Sequence, residues 1–259
     1  MLQGKAAVVT GSTSGIGLGI AKSLAAQGCS ILVNGLADDD MAKKAVAEIR
    51  THNVSVATFC GDLSKVDVVE GMIAAANKAF GKVDILVNNA GIQHVAPVED
   101  FPVAKWDLIL ALNLSSAFHA TRLTFKDMKA RGWGRIVNIS SAHGLVASPF
   151  KSAYVAAKHG IVGFTKTVAL EGAEFGVTCN AVCPGYVLTP LVEGQLADQA
   201  KAHNMSKEDV VKKVLLAQQP TKKFVTTEEC GGLVAFLCSD LGASITGAAL
   251  PIEGGWVAH

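Results

Sequence analysis

Thr10-Gly11-Ser12-Thr13-Ser14-Gly15-Ile16-Gly17 follows a short β-branched run, residues 5–10, and opens a helical pattern over 16–27. Strand, glycine turn and helix come in the order that a dinucleotide-binding turn requires. Gly11, Gly15 and Gly17 let the backbone turn tightly and come close to a pyrophosphate, and the unpaired N–H groups at the helix start offer partial positive charge. Thr13, Ser14 and Ile16 lie between them and join the cradle. The spacing is Gly-x-x-x-Gly-x-Gly rather than Gly-x-Gly-x-x-Gly.

Outward from this turn, short apolar runs alternate with longer helical patterns. Residues 5–10, 30–34, 55–59, 83–87, 134–140, 176–182 and 248–252 read as strands. They are continuous apolar runs, as expected of strands buried on both faces of a parallel sheet. The stretches 16–27, 67–80, 105–131 and 152–171 are long enough for crossover helices. The expected fold is therefore α/β, a single Rossmann-type doubly wound domain over 1–259 with a seven-stranded parallel sheet. Residues 189–224 break the alternation. A segment of that length at the carboxyl end of a strand is either a helical substrate lid or a docked surface excursion.

Composition narrows the function classes. Half of the 259 residues are hydrophobic and the formal net charge is +1, which leaves no electrostatic footprint for nucleic acid or an anionic membrane. No apolar stretch reaches membrane-spanning length, and Met1-Leu2-Gln3-Gly4-Lys5 runs straight into a strand without room for a signal peptide. A cytoplasmic protein is the expectation. Cysteines 29, 60, 179, 183, 230 and 238 show no Cys-x-x-Cys and no paired histidine spacing, so reduced thiols are expected and no metal. The high apolar content suggests surface covered by sister subunits.

The second strand ends Asn34-Gly35-Leu36. Neither a carboxylate for the adenosine ribose nor an arginine for a 2′-phosphate stands there, and Ser12, Thr13 and Ser14 supply no cation. An extra dianion would lack a partner, so NAD is the expected cofactor. Asp62-Leu63, after the third strand, either places a carboxylate near the adenine amino group or caps the next helix.

Tyr154-Val155-Ala156-Ala157-Lys158 carries the chemistry. Residues four apart on a helix share a face, separated by about 6 Å along the axis. A phenol titrates near 10, so making it a base near neutrality needs about 4 kcal/mol of differential stabilisation, a plausible joint contribution of Lys158 and a cationic nicotinamide ring.

The glycine turn, Asn88-Asn89-Ala90-Gly91, Asn113, Ser141, Tyr154, Lys158 and Pro184-Gly185 occur in one order along the chain. With them the sequence resembles the short-chain dehydrogenase/reductase family over essentially its whole length. The resemblance implies a catalytic group of Asn113, Ser141, Tyr154 and Lys158. Tyr154 would transfer the hydroxyl proton, Ser141 position the substrate oxygen, Lys158 lower the phenol pKa and bind ribose hydroxyls, and Asn113 hold a water. It also implies cofactor contacts from Leu36, Asp62, Leu63, Asn89, Ala90, Gly91, Leu112, Pro184, Gly185, Val187 and Thr189.

Asn89-Ala90-Gly91-Ile92-Gln93-His94, the run from Ser141 to Ser148, and Lys151-Ser152-Ala153-Tyr154 resemble the bacterial 3-hydroxybutyrate dehydrogenase branch of that family. This implies that Gln93, His143, Lys151 and Gln195 hold a substrate carboxylate, by charge-assisted hydrogen bonds in a desolvated pocket. Trp256 would wall the methyl side or pack at a subunit contact. His94, His119, His159 and His203 gain no role. Tyr186 stands where that branch has tryptophan, and Pro149-Phe150 and Leu36 also depart from it. The larger pocket implied by Tyr186 would admit a slightly longer acid such as 3-hydroxyvalerate.

The resulting expectation is an NAD-dependent enzyme interconverting (R)-3-hydroxybutyrate and acetoacetate, with a small-molecule substrate and a homotetrameric assembly. Two alternatives stand beside it: an NADPH-dependent 3-oxoacyl thioester reductase, and a cofactor-binding regulator without turnover.

Overall fold

The computed structural model describes residues 2–189, 192, 193, 196 and 204–258. Seven parallel strands form one sheet: β1 (Ala6–Val9), β2 (Ser30–Gly35), β3 (Val56–Cys60), β4 (Ile85–Asn88), β5 (Gly134–Ile139), β6 (Val177–Pro184) and β7 (Ala249–Ile252), in the order β3-β2-β1-β4-β5-β6-β7. Each expected strand is present, with ends shifted by up to two residues. Every residue of β1, β4, β5 and β6 is buried, because crossover helices cover both faces. β3 and β7 depart from the expectation of full burial. They are the edge strands and stay partly exposed, since each has a neighbour on one side only.

The helices are α1 (Gly15–Ala26), α2 (Asp40–Arg50), α3 (Val66–Phe80), α4 (Val103–Leu110), α5 (Ser116–Ala130), α6 (Ser152–Gly172), α7 (Lys207–Val210) and α8 (Thr227–Cys238) among the described residues. Asp39 caps α2 by accepting from Ala42 N–H at 3.0 Å. Thr226 and Glu229 form a reciprocal capping box on α8. One face of the sheet packs Ile31, Val33, Ile85 and Val87 against Ile20 and Leu24 of α1 and Val234 and Leu237 of α8. The other packs Val8, Leu32, Leu86 and Ile136 against Met72 of α3 and Met128 of α5. The helix expected over 105–131 is interrupted: a π turn, Ala111–Ser115, separates α4 from α5.

Sequence order reverses between β1 and β4, which lie side by side while their connections run to opposite sides of the sheet. Beyond the carboxyl ends of these strands a crevice opens, where doubly wound sheets place their ligands.

Candidate active site

The two loops that leave β1 and β4 are tied together by one side chain. Thr10 Oγ1 accepts from Asn89 N–H at 2.8 Å and from Ala90 N–H at 2.9 Å. Asn89 Nδ2 returns the tie, donating to Thr10 O at 2.9 Å and Gly11 O at 3.1 Å. From the other side Asn34 Oδ1 accepts from Gly11 N–H at 3.0 Å while its Nδ2 donates to Phe59 O at 3.0 Å. Buried Ser12 donates to Val9 O at 2.7 Å and accepts from Asn34 N–H at 3.0 Å. Sequence reasoning missed Thr10 and Asn34, because their polarity serves other backbone groups and not a ligand.

Gly11 and Gly15 have φ of +61° and +54°, a region closed to most side chains. Gly17 is excluded from substitution by space: a Cβ there would sit 2.2 Å from Gly11 O and 2.6 Å from Asn89 Nδ2. The result is a cavity of about 680 Å³ lined along its length by backbone. Of the expected cofactor contacts, Gly11, Thr13, Ser14, Ile16, Gly17, Leu36, Asp62, Leu63, Asn89, Ala90, Gly91, Leu112, Tyr154, Lys158 and Thr189 line it. Pro184, Gly185 and Val187 do not. Pro184 ends β6, Gly185 N–H donates to Ile252 O at 3.0 Å, and Val187 is buried in a bridge to Val225. Ile139, Ser140 and Ile92 join the lining, unsignalled by any motif. A cavity lined by Gly11, Gly17 and Ser14, the residue ahead of α1, fits a dinucleotide.

At the end of β2, Leu36 is 78% exposed at the cavity rim. Asp38, Asp39 and Asp40 follow it directly, and the charges of Asp38 and Asp39 reach Cys60 across the strand ends, raising its thiol pKa after burial. Among the described lining residues Lys158 is the only cation. The Ser64 hydroxyl and then its N–H, at 3.0 Å, hold the Asp62 carboxyl below the usual range. It therefore makes a local turn three residues ahead of the α3 cap, Lys65.

The remaining lining residues gather acid–base groups. Lys158, on α6 and 4% exposed, donates from Nζ to Ile139 O at 2.8 Å, and Nζ lies 5.6 Å from the centre of the Tyr154 ring. Burial lowers the Lys158 pKa to about 8, leaving it cationic at neutral pH. Burial pushes the Tyr154 phenol up, and the Ser141 hydroxyl bonded to it pulls the other way. In the protein alone desolvation dominates the phenol; the expected lowering draws jointly on Lys158 and a cationic nicotinamide ring. Asn113 sits in the π turn: Oδ1 accepts from Ile92 N–H at 2.9 Å and Nδ2 donates to Ile92 O at 2.9 Å. Its side chain thus fixes the 91–93 loop and keeps one N–H and one lone pair for a further partner.

Beside Tyr154 an aromatic wall begins. The His143 ring meets Tyr154 edge-on at 6.0 Å and Trp256 edge-on at 5.0 Å. Trp256 stacks on Tyr186 at 5.8 Å, with planes 5° apart, and Lys151 Nζ lies 5.9 Å from the Tyr186 ring centre. Lys151 is the residue ahead of α6, with φ −126° and ψ 33°. Its aim follows from Phe150, held at φ +67°, whose carbonyl accepts from Ala96 N–H at 2.9 Å. Burial lowers the Lys151 pKa, and among the described residues no carboxylate pairs with it. Gln93 is exposed and lines the dinucleotide cavity, whereas Gln195 and His203 lie outside the described residues. Fully buried Gln219, another residue without a motif, accepts from Tyr186 N–H and donates to Lys223 O at 2.8 Å, pinning the base of this wall. His94 packs on Phe101, His119 accepts from Arg122, and His159 bonds to Val155 O.

The family model described as short chain dehydrogenase matches residues 5–200. The chain belongs to the short-chain dehydrogenase family. Its membership gives the cavity a nicotinamide cofactor, in keeping with the glycine cradle. Two relatives in this family are 55% and 54% identical over 259 and 256 residues. They are the D-beta-hydroxybutyrate dehydrogenases of Cupriavidus necator (100% of both chains) and Rhizobium meliloti (98% of this chain, 99% of the relative). A solved actinorhodin polyketide ketoreductase variant with NADPH is 34% identical, with TM-score 0.91 over 100% of both chains. No described helix of this short-chain dehydrogenase is long and apolar enough to cross a membrane, and all six cysteines are free thiols.

Proposed function

We propose that the enzyme is an NAD-dependent dehydrogenase interconverting (R)-3-hydroxybutyrate and acetoacetate. The observation that carries this reading is Lys151: a partly buried cation with no carboxylate partner among the described residues, facing an aromatic wall that continues to Tyr154. Such a cation suits a small free carboxylate, which Gln93 would share from across the cavity. The high identity to two D-beta-hydroxybutyrate dehydrogenases supports the same substrate. NAD is supported by the absence of a rim cation among the described lining residues and by Asp38, Asp39 and Asp40, whose charges would repel a 2′-phosphate.

When bound, the nicotinamide accepts or supplies the hydride. Tyr154 moves the proton: in reduction its phenol gives the proton to the substrate oxygen, and in oxidation the phenolate takes it. Ser141 donates a hydrogen bond to that same oxygen, stabilising charge as it develops. Lys158, anchored by Ile139 O, keeps positive charge beneath the phenol and favours its ionised form. Asn113 fixes the 91–93 loop and so the position of Gln93. Trp256 and Tyr186 wall the alkyl side, and the space beside Tyr186 suits a chain one carbon longer than butyrate. Residues 189–224 would close over the substrate as a lid, Gln195 included. A homotetramer fits the apolar groove between α5 and α6, where Phe118, Phe125, Phe164 and Phe175 meet solvent.

The test follows reduced-cofactor absorbance with NAD or NADP against (R)-3-hydroxybutyrate, its (S) enantiomer and a 3-hydroxyacyl thioester. NAD reduction with the free (R)-acid alone is expected. Turnover only with NADP and the thioester would establish the reductase alternative, and no turnover with any pair would leave the regulator.

A further inference from the structure

We infer that Gln219 is a positioning residue for the substrate: its buried amide clasps both roots of the segment 187–222 and so sets the Tyr186–Trp256 wall against which the alkyl chain is measured. The inference rests on the function proposed above. Gln219 Oε1 accepts from Tyr186 N–H, just past β6, and its Nε2 donates to Lys223 O at 2.8 Å, just ahead of α8. A third loop presses on the same amide. A Cβ on Gly185 would lie 2.4 Å from Gln219 Oε1, and one on Gly254 would lie 3.4 Å from Nε2. Thr221 N–H donates to Gly254 O at 3.1 Å, and Val225 N–H to Tyr186 O at 2.9 Å. The loops after β6 and β7 and the turn before α8 therefore meet at one side chain that is 0% exposed. Tyr186 and Trp256 stand on the first two of these loops, stacked with planes 5° apart.

The clasp needs both halves of the amide. Tyr186 N–H requires an acceptor and Lys223 O a donor, and among the described residues neither backbone group has another protein partner. A side chain of this length that offers both at once is a glutamine or a protonated glutamic acid. Leucine offers neither, and an ionised glutamate only accepts. A backbone group orphaned here is relieved by pulling away toward water, which draws Tyr186 off Trp256. The damage falls on the substrate side. Neither Gln219 nor the residues it touches line the dinucleotide cavity, and Tyr154 and Lys158 stay fixed on α6. The charged groups around the clasp are already committed or turned outward. Lys222 gives its ammonium to Leu216 O at 2.9 Å and Ala217 O at 2.7 Å, Lys223 is exposed, Lys151 lies over the Tyr186 ring, and Glu253 Oε2 takes Val257 N–H at 3.1 Å. A carboxyl placed at 219 would therefore be desolvated without a dedicated cation and titrate above the ordinary glutamate range.

Two variants of the full-length enzyme, assayed with NAD, test this. Gln219→Leu should raise KM for (R)-3-hydroxybutyrate about tenfold and relax discrimination against (R)-3-hydroxyvalerate about fivefold, while kcat and the NAD dissociation constant stay within about twofold. Gln219→Glu carries the sharper test. Its KM relative to wild type should be close to one near pH 6, where the buried acid is protonated and keeps both bonds, and should rise about tenfold by about pH 9. The near-ultraviolet circular dichroism of Trp256, taken as the difference against Trp256→Phe, should follow the same titration in Gln219→Glu without substrate. A KM ratio and a Trp256 signal that are both flat in pH would overturn the inference, as would equal losses of substrate and NAD affinity in Gln219→Leu. If Gln219→Leu does not fold, the Gln219→Glu titration decides alone. Failure of the substrate reading would show separately, as a wild type inert toward both acids while the Trp256 signal of Gln219→Glu still titrates.

Discussion

Lys158 is tied to Ile139: the ammonium donates to the carbonyl at the end of β5 at 2.8 Å, and this holds it under the Tyr154 ring. The sheet itself thereby fixes a charge that the helix alone would leave on a flexible stem. Lys158→Ala should lower kcat about 100-fold or more and move the pH limb for alcohol oxidation to higher pH, because the phenol loses its cationic neighbour while burial still opposes ionisation. Measured pH–rate profiles of the two proteins decide this; an unmoved limb would remove Lys158 from that role.

Lys151→Ala should raise KM for 3-hydroxybutyrate about 10- to 100-fold, the worth of one charge-assisted hydrogen bond of roughly 1.5–3 kcal/mol. The dissociation constant for NAD, measured by titration calorimetry, should stay within about twofold, since Lys151 lines the aromatic wall and not the dinucleotide cavity.

Gly17→Ala tests the cradle. The added methyl would overlap Gly11 O and the Asn89 amide, forcing the turn away from the loop after β4. A loss of about 1–3 kcal/mol in stability is expected from overpacking, together with loss of NAD binding by calorimetry. Unaltered binding would show that the cavity lies elsewhere.

His143 predicts a pH dependence of folding. Its pKa is about 4 in the folded chain against 6.5 for the ordinary group, so the unfolded chain binds more protons between those values and stability falls as pH drops from 6.5 to 4. The contribution is about 3 kcal/mol, complete above pH 6.5 and gone below pH 4. Urea unfolding across this window should show a steeper decline for the wild type than for His143→Gln. Parallel curves would mean that the ring charges freely in the folded protein.

Sheet, strand count and the glycine cradle were legible because they depend on local pattern: an apolar run, then glycines, then a helix start. The candidate acid–base pair was legible because Tyr154 and Lys158 sit one helical turn apart. What escaped was set by distant partners. The π turn follows from Asn113 bonding to Ile92, 21 residues away, which no periodicity records. Lys151 is aimed by the positive φ of Phe150 and by the Ala96 contact, not by helical spacing. The desolvation that opposes Lys158 at the phenol escaped because sequence shows which cation is near but not how much water is excluded.

The double grip of Thr10 on Asn89 and Ala90, returned by the Asn89 amide, makes the two loops at the switch point a single stiff jaw. A jaw locked on that side cannot gape to exchange a spent cofactor for a fresh one. Exchange is therefore expected to leave these two loops in place, and Thr10→Val, which removes the grip, should loosen the cradle and shorten cofactor residence.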